Sequence, residues 1–223
     1  MSGPSIRQYD TGKLAGSKTE RGFNQSTASG RAFWCFDPDP GGIRVYDMAA
    51  QLSRLCRFNG AIRDDIDLYS VAQHCCLVSD HLSPELKFEG LLHDAHEAYI
   101  GDMIKPMKMN LNLAAVEGDP WKRIEARVER AVRCRFGLPR TMTPAVKEQD
   151  WHAFPTEVRD ICPAMLGVDH GNMPTPWPEK IEPWDRRRAF MSSWRDSVSS
   201  CPCKWLSQSK KMNGDPDNVC SER

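Results

Sequence analysis

The 223-residue sequence predicts an all-α fold, a compact single-domain helical bundle. Apolar residues recur at three- and four-residue spacing across five or six segments. Asp, Ser or Pro stands at the entry of these segments, and Gly closes two of them. Strand signals are sparse, with only IRVY at 43–46 reading as a short extended piece.

The first helix is predicted over Tyr46–Phe58, with Met48, Leu52, Leu55 and Phe58 inward and Asp47 as its cap. Ser70 caps a second, whose inner face holds Val71, Cys75, Val78 and Leu82. A third follows Pro84, carries Leu91, Leu92, Ala95, Ala98 and Tyr99 on one side, and leaves at Gly101. Pro120 opens a helix through Val128, Val132 and Phe136 that stops at Gly137. Pro144 opens another past Trp151, which Pro155 is expected to kink or end. Pro183 starts a last one with Phe190, Met191, Trp194 and Val198.

Residues 1–28 are rich in Ser, Thr, Gly and Lys and read as a flexible N-terminal arm. Residues 29–198 form the domain, and 199–223 read as a flexible C-terminal tail. Thirty Lys plus Arg balance thirty Asp plus Glu, which argues against a protein that coats nucleic acid. Arg-rich stretches at 123–135 and 186–188 are interleaved with acids, as on an ordinary charged helix face. No apolar run reaches about 18 residues and no secretory signal is visible, so neither a membrane span nor export is expected. Nine cysteines, an odd number without a CxxC pair, suit reduced thiols in a cytoplasmic setting. The CPC string at 201–203 with Cys220 lacks a fourth zinc ligand.

Four of the six histidines fall in two neighbouring helices, and of these His81 reads as structural or solvated. His74 lies in YSVAQHCCLV; His93 and His96 lie in LLHDAHEAYIGD. A cation set between the directions of His93 and Asp94 can reach both, and Glu97 shares their helix flank. His74 can close a third side, and Asp150, in VKEQDWHAF, is the candidate for a fourth ligand. A single histidine on an apolar helix is more often a satisfied core residue than a ligand. The combination changes the balance, because buried ionisable groups are expensive unless paired or bound to metal. His96 reads as lying beside the ligands or at the surface.

These stretches resemble the HD-domain metal-dependent phosphohydrolases. More narrowly, they resemble single-domain bacterial and phage deoxynucleotide hydrolases, which include 5′-deoxynucleotidases and phage dATP triphosphohydrolases. The similarity runs through SGRAF (29–33), DPDP (37–40), DMAAQLSRLCRFNG (47–60), YSVAQH (69–74), LLHDAHEAYIGDMIKPMK (91–108) and TEVRD (156–160). It implies that His74, His93, Asp94 and Asp150 hold one divalent ion (Mn, Co, Fe, Zn, Ni or Mg). Glu97 would orient the attacking water and Asp102 would act as a second acid near the reacting phosphate. Arg57, Lys105 and Lys108 would contact phosphate, with the lysines on a loop stiffened by Pro106, and Phe58 would flank the base.

The resemblance further implies a homo-oligomer without nucleic-acid or membrane partners, in a bacterial cytoplasm or the host cytoplasm of a phage. Its substrate would be a deoxyribonucleotide, with dATP cleavage to deoxyadenosine and triphosphate first in line. Release of orthophosphate from deoxynucleoside monophosphates is the alternative. A rival of another class is a catalytically silent module that senses nucleotides.

Overall fold

A computed structural model describes residues 21–115, 118–163 and 172–192. Seven helices run in order: α1 (Val45–Leu52), α2 (Val71–Asp80), α3 (Lys87–Leu92), α4 (Glu97–Ile100), α5 (Lys105–Ala114), α6 (Pro120–Arg135) and α7 (Pro144–Asp160). A further helical stretch occupies 186–192. Beside them stands one two-stranded ribbon, β1 (Asn24–Ser26) against β2 (Ala32–Trp34), antiparallel with Gln25 opposite Phe33. The all-α expectation holds. No helix among the described residues is long and apolar enough to cross a membrane. The expected tail 199–223, residues 1–20 of the expected arm, and Trp194 and Val198 lie outside the described residues.

The caps explain several starts. Ser70 accepts from the Gln73 N–H at 3.2 Å and opens α2 as expected. Asp119 accepts from the Lys122 N–H, with Pro120 at the first turn of α6. Gly137 follows that helix at φ +64°, a conformation that suits glycine.

Other expectations fail for identifiable reasons. Asp47 does not cap α1: it lies inside the first turn and accepts from the Ser29 N–H (2.6 Å) and Oγ–H (2.9 Å). Helix α1 stops at Leu52, and Arg57–Gly60 forms a separate tight turn in which Phe58 and Asn59 both take φ +56°. Helix α7 does not end at Pro155 but runs on to Asp160. Thr156 Oγ1 donates to His152 O at 3.3 Å and accepts from the Trp177 N–H at 2.9 Å. Residues 43–46 form no strand; the ribbon instead pairs β1, inside the expected arm, with β2 at the start of the expected domain. Pro106 sits in the first turn of α5, so both lysines ride on a helix and not on a loop. Cys35, Cys56, Cys75, Cys76 and Cys162 are free thiols. Cys134 is disulfide-bonded, against the expectation of reduced thiols throughout.

The core joins Phe33, Met48, Leu52, Val71, Leu91, Tyr99 and Val128. Helix α2 is its axis and packs on α3, α7 and α1. A Cβ at Gly90 would meet Leu82 Cδ1 at 2.3 Å and Ser79 Cα at 3.2 Å, so glycine lets α3 approach α2 this closely. Buried Glu89 pairs with buried Arg133 and accepts from the Thr143 N–H, tying α3 to α6 and to the start of α7. This frame fixes the two histidine-bearing segments against each other.

Candidate metal centre

The predicted continuous helix after Pro84 is broken at 93–96. There the backbone tightens: the N–H groups of Ala95, Glu97 and Tyr99 bond to carbonyls three residues back, on Leu92, Asp94 and His96. At three residues per turn, positions i and i+3 eclipse. Asp94 and Glu97 are thereby brought to one side, their carboxylate oxygens within 4.8 Å of each other.

His93, at the end of α3, and His74, mid-way along α2, are both fully buried. Their Nε2 atoms lie 3.2 Å apart. Asp94 Oδ2 is 3.2 Å from His93 Nε2 and 3.5 Å from His74 Nε2. Asp150 Oδ1 reaches in from α7 at 3.2 Å from His74 Nε2 and 3.6 Å from His93 Nε2. All four ligand atoms lie within 4.8 Å of one another. Bonds of about 2.1 Å to a central cation would space adjacent donors about 3.0 Å apart at right angles and about 3.4 Å at the tetrahedral angle. Three of the five spacings, each 3.2 Å, fall within that range, and the other two, 3.5 and 3.6 Å, lie just beyond it. His74, His93, Asp94 and Asp150 thus form a group that can hold a metal ion.

The rings are oriented for it. His74 Nδ1 faces Glu157 Oε1 at 2.7 Å, and His93 Nδ1 faces the Gly90 carbonyl at 2.7 Å. Both partners are acceptors, so each Nδ1 carries the proton in the neutral ring and each Nε2 offers a lone pair to the same point. Glu157 is a positioning residue that the sequence reading passed over. It is fully buried, accepts from Tyr69 O–H at 2.8 Å, and meets the Arg57 guanidinium with Nε at 3.1 Å and Nη2 at 3.2 Å. Its signal was available: it lies two helical turns from Asp150, on the same side of α7.

The charges follow from these contacts. Burial and Arg57 work to lower the His74 pKa, but Glu157 and Asp150 outweigh them and raise it. Burial also opposes protonation of His93, yet Asp94 and Asp150 push its pKa well above the usual range. The Asp94 and Asp150 carboxyls are held low against their own desolvation by the two imidazoles. Glu157 is depressed to about 2, with burial opposed by Arg57 and His74. Glu97 shifts the other way, raised well above the carboxylate range by burial and then by Asp94 and Asp102. Its Oε2 is buried without a hydrogen-bond partner. Asp102 is half-buried and raised by desolvation, which outweighs Arg57.

The remaining expected site residues fall in different places. Arg57 stands beside the cluster, with Nη1 3.6 Å from Asp94 Oδ2, while Glu157 holds its other edge. Phe58 lies under that guanidinium, 5.3 Å from ring centroid to Cζ, and packs against Tyr69 and Ile161. Lys105 is exposed, its Nζ 5.9 Å from the ring centroid of Trp151, the neighbour of Asp150. Lys108 is ion-paired with Glu125 at 2.6 Å. Buried His96 lies 3.8 Å from the same Glu125 carboxylate.

No family model matches the chain. The chain is 37% identical over 152 residues to the uncharacterized protein YfdR of Escherichia coli, covering 68% of this chain and 75% of that protein. It is 35% identical over 130 residues to the uncharacterized protein RCAP_rcc00048 of Rhodobacter capsulatus, covering 55% of this chain and 63% of that one. The chain spans less than two thirds of the second relative's length. By its similarity to the first, the chain belongs to the same protein family as YfdR.

Proposed function

We propose that this chain is a divalent-metal-dependent phosphohydrolase of the HD type that acts on deoxyribonucleotides. One observation carries the proposal: two buried imidazoles, each fixed through Nδ1, turn their Nε2 atoms onto one point flanked by two carboxylates. A bound divalent cation supplies Lewis acidity at a phosphoryl oxygen and acidifies water. The chain's own groups supply the rest. Glu97, buried and unusually basic for a carboxylate, accepts the proton of the attacking water. Asp102, with a raised pKa, returns a proton to the leaving oxygen. Arg57, clamped in place by Glu157, presents a pre-oriented guanidinium to phosphate, and Lys105 adds a positive charge from the α5 side.

Cleavage of dATP to deoxyadenosine and triphosphate remains the first reading. The alternative, release of orthophosphate from deoxynucleoside monophosphates, gains from one contact: Lys108 is already neutralised by Glu125, leaving one fewer cation for a triphosphate tail. The deciding experiment incubates the protein with deoxy- and ribonucleoside mono- and triphosphates and several divalent ions, then separates the products. Triphosphate release supports the first reading and orthophosphate the second. His93→Ala and Asp94→Ala should abolish both metal content and turnover. Tight nucleotide binding without product under any ion would point to a silent sensing module instead.

A further inference from the structure

A second feature opens on the far side of Glu97. A cavity of about 630 Å³ runs between α1, α4 and α6, with Glu97 in its wall. A carboxylate oxygen of Glu97 also lies within 4.8 Å of one of Asp94, so this side chain borders both the cavity and the metal-ligand cluster. The cavity has the size of a small-molecule site. Leu55, Ile100, Trp121 and Ile124 give it apolar walls, and Gln25, Gln51 and Arg54 add polar groups. Gln25 donates its amide to Tyr99 O, which leaves the amide oxygen as an acceptor. Two polar atoms of these lining residues are buried without a partner among the described residues: Glu97 Oε2 and the indole Nε1 of Trp121. An unpaired buried polar atom in a folded protein calls for an explanation. Trp121 as a whole is only partly buried.

A molecule spanning both regions needs an anionic end for the cation cluster and Arg57, and a flat, uncharged end with hydrogen-bonding edges for the cavity. A base joined through a sugar to phosphate has that form. Phe58, expected to flank the base, is not in the cavity wall; it packs against the cluster of Tyr69, Ile161 and Ile181.

We infer that this cavity receives the nucleoside part of the substrate, its base lying against Trp121, and that the Trp121 N–H is a specificity-determining donor to that base. The inference rests on the nucleotide-hydrolase reading for its substrate class.

The test uses the full chain loaded with Mn²⁺ and two variants, Trp121→Phe, which removes the donor but keeps a ring, and Ile124→Trp, which fills the cavity. Three quantities are read: Kd for phosphate-free 2′-deoxynucleosides by calorimetry, KM and kcat for deoxynucleotides, and turnover of p-nitrophenyl phosphate, which has no nucleoside. Trp121→Phe should raise nucleoside Kd and nucleotide KM by roughly tenfold, with kcat and p-nitrophenyl phosphate turnover near wild type. Ile124→Trp should remove nucleoside binding. Wild-type Kd and KM in both variants, with metal content and melting temperature intact, would overturn the inference, as would a wild-type protein that binds no nucleoside. If the wild type cleaves no phosphate ester yet binds nucleosides in a way both variants weaken, the hydrolase reading fails and the pocket stands. If it cleaves nucleotides and both variants behave as wild type, the pocket fails and the hydrolase reading stands.

Discussion

The Nε2 atoms of His74 and His93 face each other across 3.2 Å, while the Nδ1 of each ring is already engaged by an acceptor 2.7 Å away. Two neutral imidazoles held this way would oppose lone pair to lone pair. Only a cation, whether a proton or a metal ion, makes the approach favourable, and the four predictions below start from that competition or from contacts beside it.

Removing a ligand should remove the metal. His74→Ala, His93→Ala or Asp94→Ala should each lower the bound Mn²⁺ or Co²⁺ to background by elemental analysis. In the wild type, saturating metal at about 100 times its Kd should add about 2.7 kcal/mol of stability. The melting temperature should therefore rise by several degrees with metal in the wild type and stay unchanged in these variants.

The pH dependence should change sign with metal. Both imidazole pKa values are raised in the metal-free fold. A raised histidine stabilises fully below its unfolded value of about 6.5 and loses that contribution as pH climbs through the folded value. Metal-free protein should thus melt at lower temperature as pH rises above about 6.5. Metal needs the same nitrogens unprotonated, so its affinity should rise over that interval, by up to about two decades per pH unit. Parallel thermal melts with and without Co²⁺ across this range check both signs; a metal affinity independent of pH would contradict the shared-nitrogen arrangement.

Glu157 should act through His74 and Arg57. Glu157→Gln keeps the shape but removes the charge that fixes both, and should weaken metal binding by roughly 10- to 100-fold. Glu157→Ala also leaves buried Arg57 with Asp94 alone and should cost roughly 3 kcal/mol in urea unfolding. A Glu157→Gln protein with wild-type metal affinity would reduce this residue to a packing role.

Glu125 should matter to acid stability. Burial opposes its ionisation, but His96 and Lys108 outweigh that and bring its pKa to about 2. A depressed carboxyl stabilises above its unfolded value and loses that contribution as pH falls through the folded one. After allowance for its partly exposed side chain, the contribution should be about 1 kcal/mol, lost between about pH 4.5 and 2. The difference in unfolding free energy between wild type and Glu125→Gln should shrink over that interval.

Much of the centre was legible because its chemistry is costly without a purpose. His74, His93 and Asp94 stood out as ionisable groups among Leu, Val, Cys and Ala, Asp150 as an acid beside apolar Trp151, and the fold brings all four together. Glu157 was hidden by its surroundings: in TEVRD it reads as one more helix acid, and only Tyr69 and Arg57, far away in sequence, reveal that it is buried. The ion pair of Lys108 was hidden for the matching reason, since its partner Glu125 comes from another helix.

The sequence alone determined the helical class, the Ser70 cap and the entries at Pro120 and Pro144, and it pointed to the four residues that the fold gathers into a group able to hold a metal ion. These depend on hydrophobic spacing and on backbone groups a few residues apart. Tertiary structure decided where the third predicted helix breaks, where α7 ends beyond Pro155, which lysine meets a carboxylate, and where the cavity beside Glu97 opens. Each of those depends on atoms brought close from distant parts of the chain, and a linear pattern carries no record of such distances.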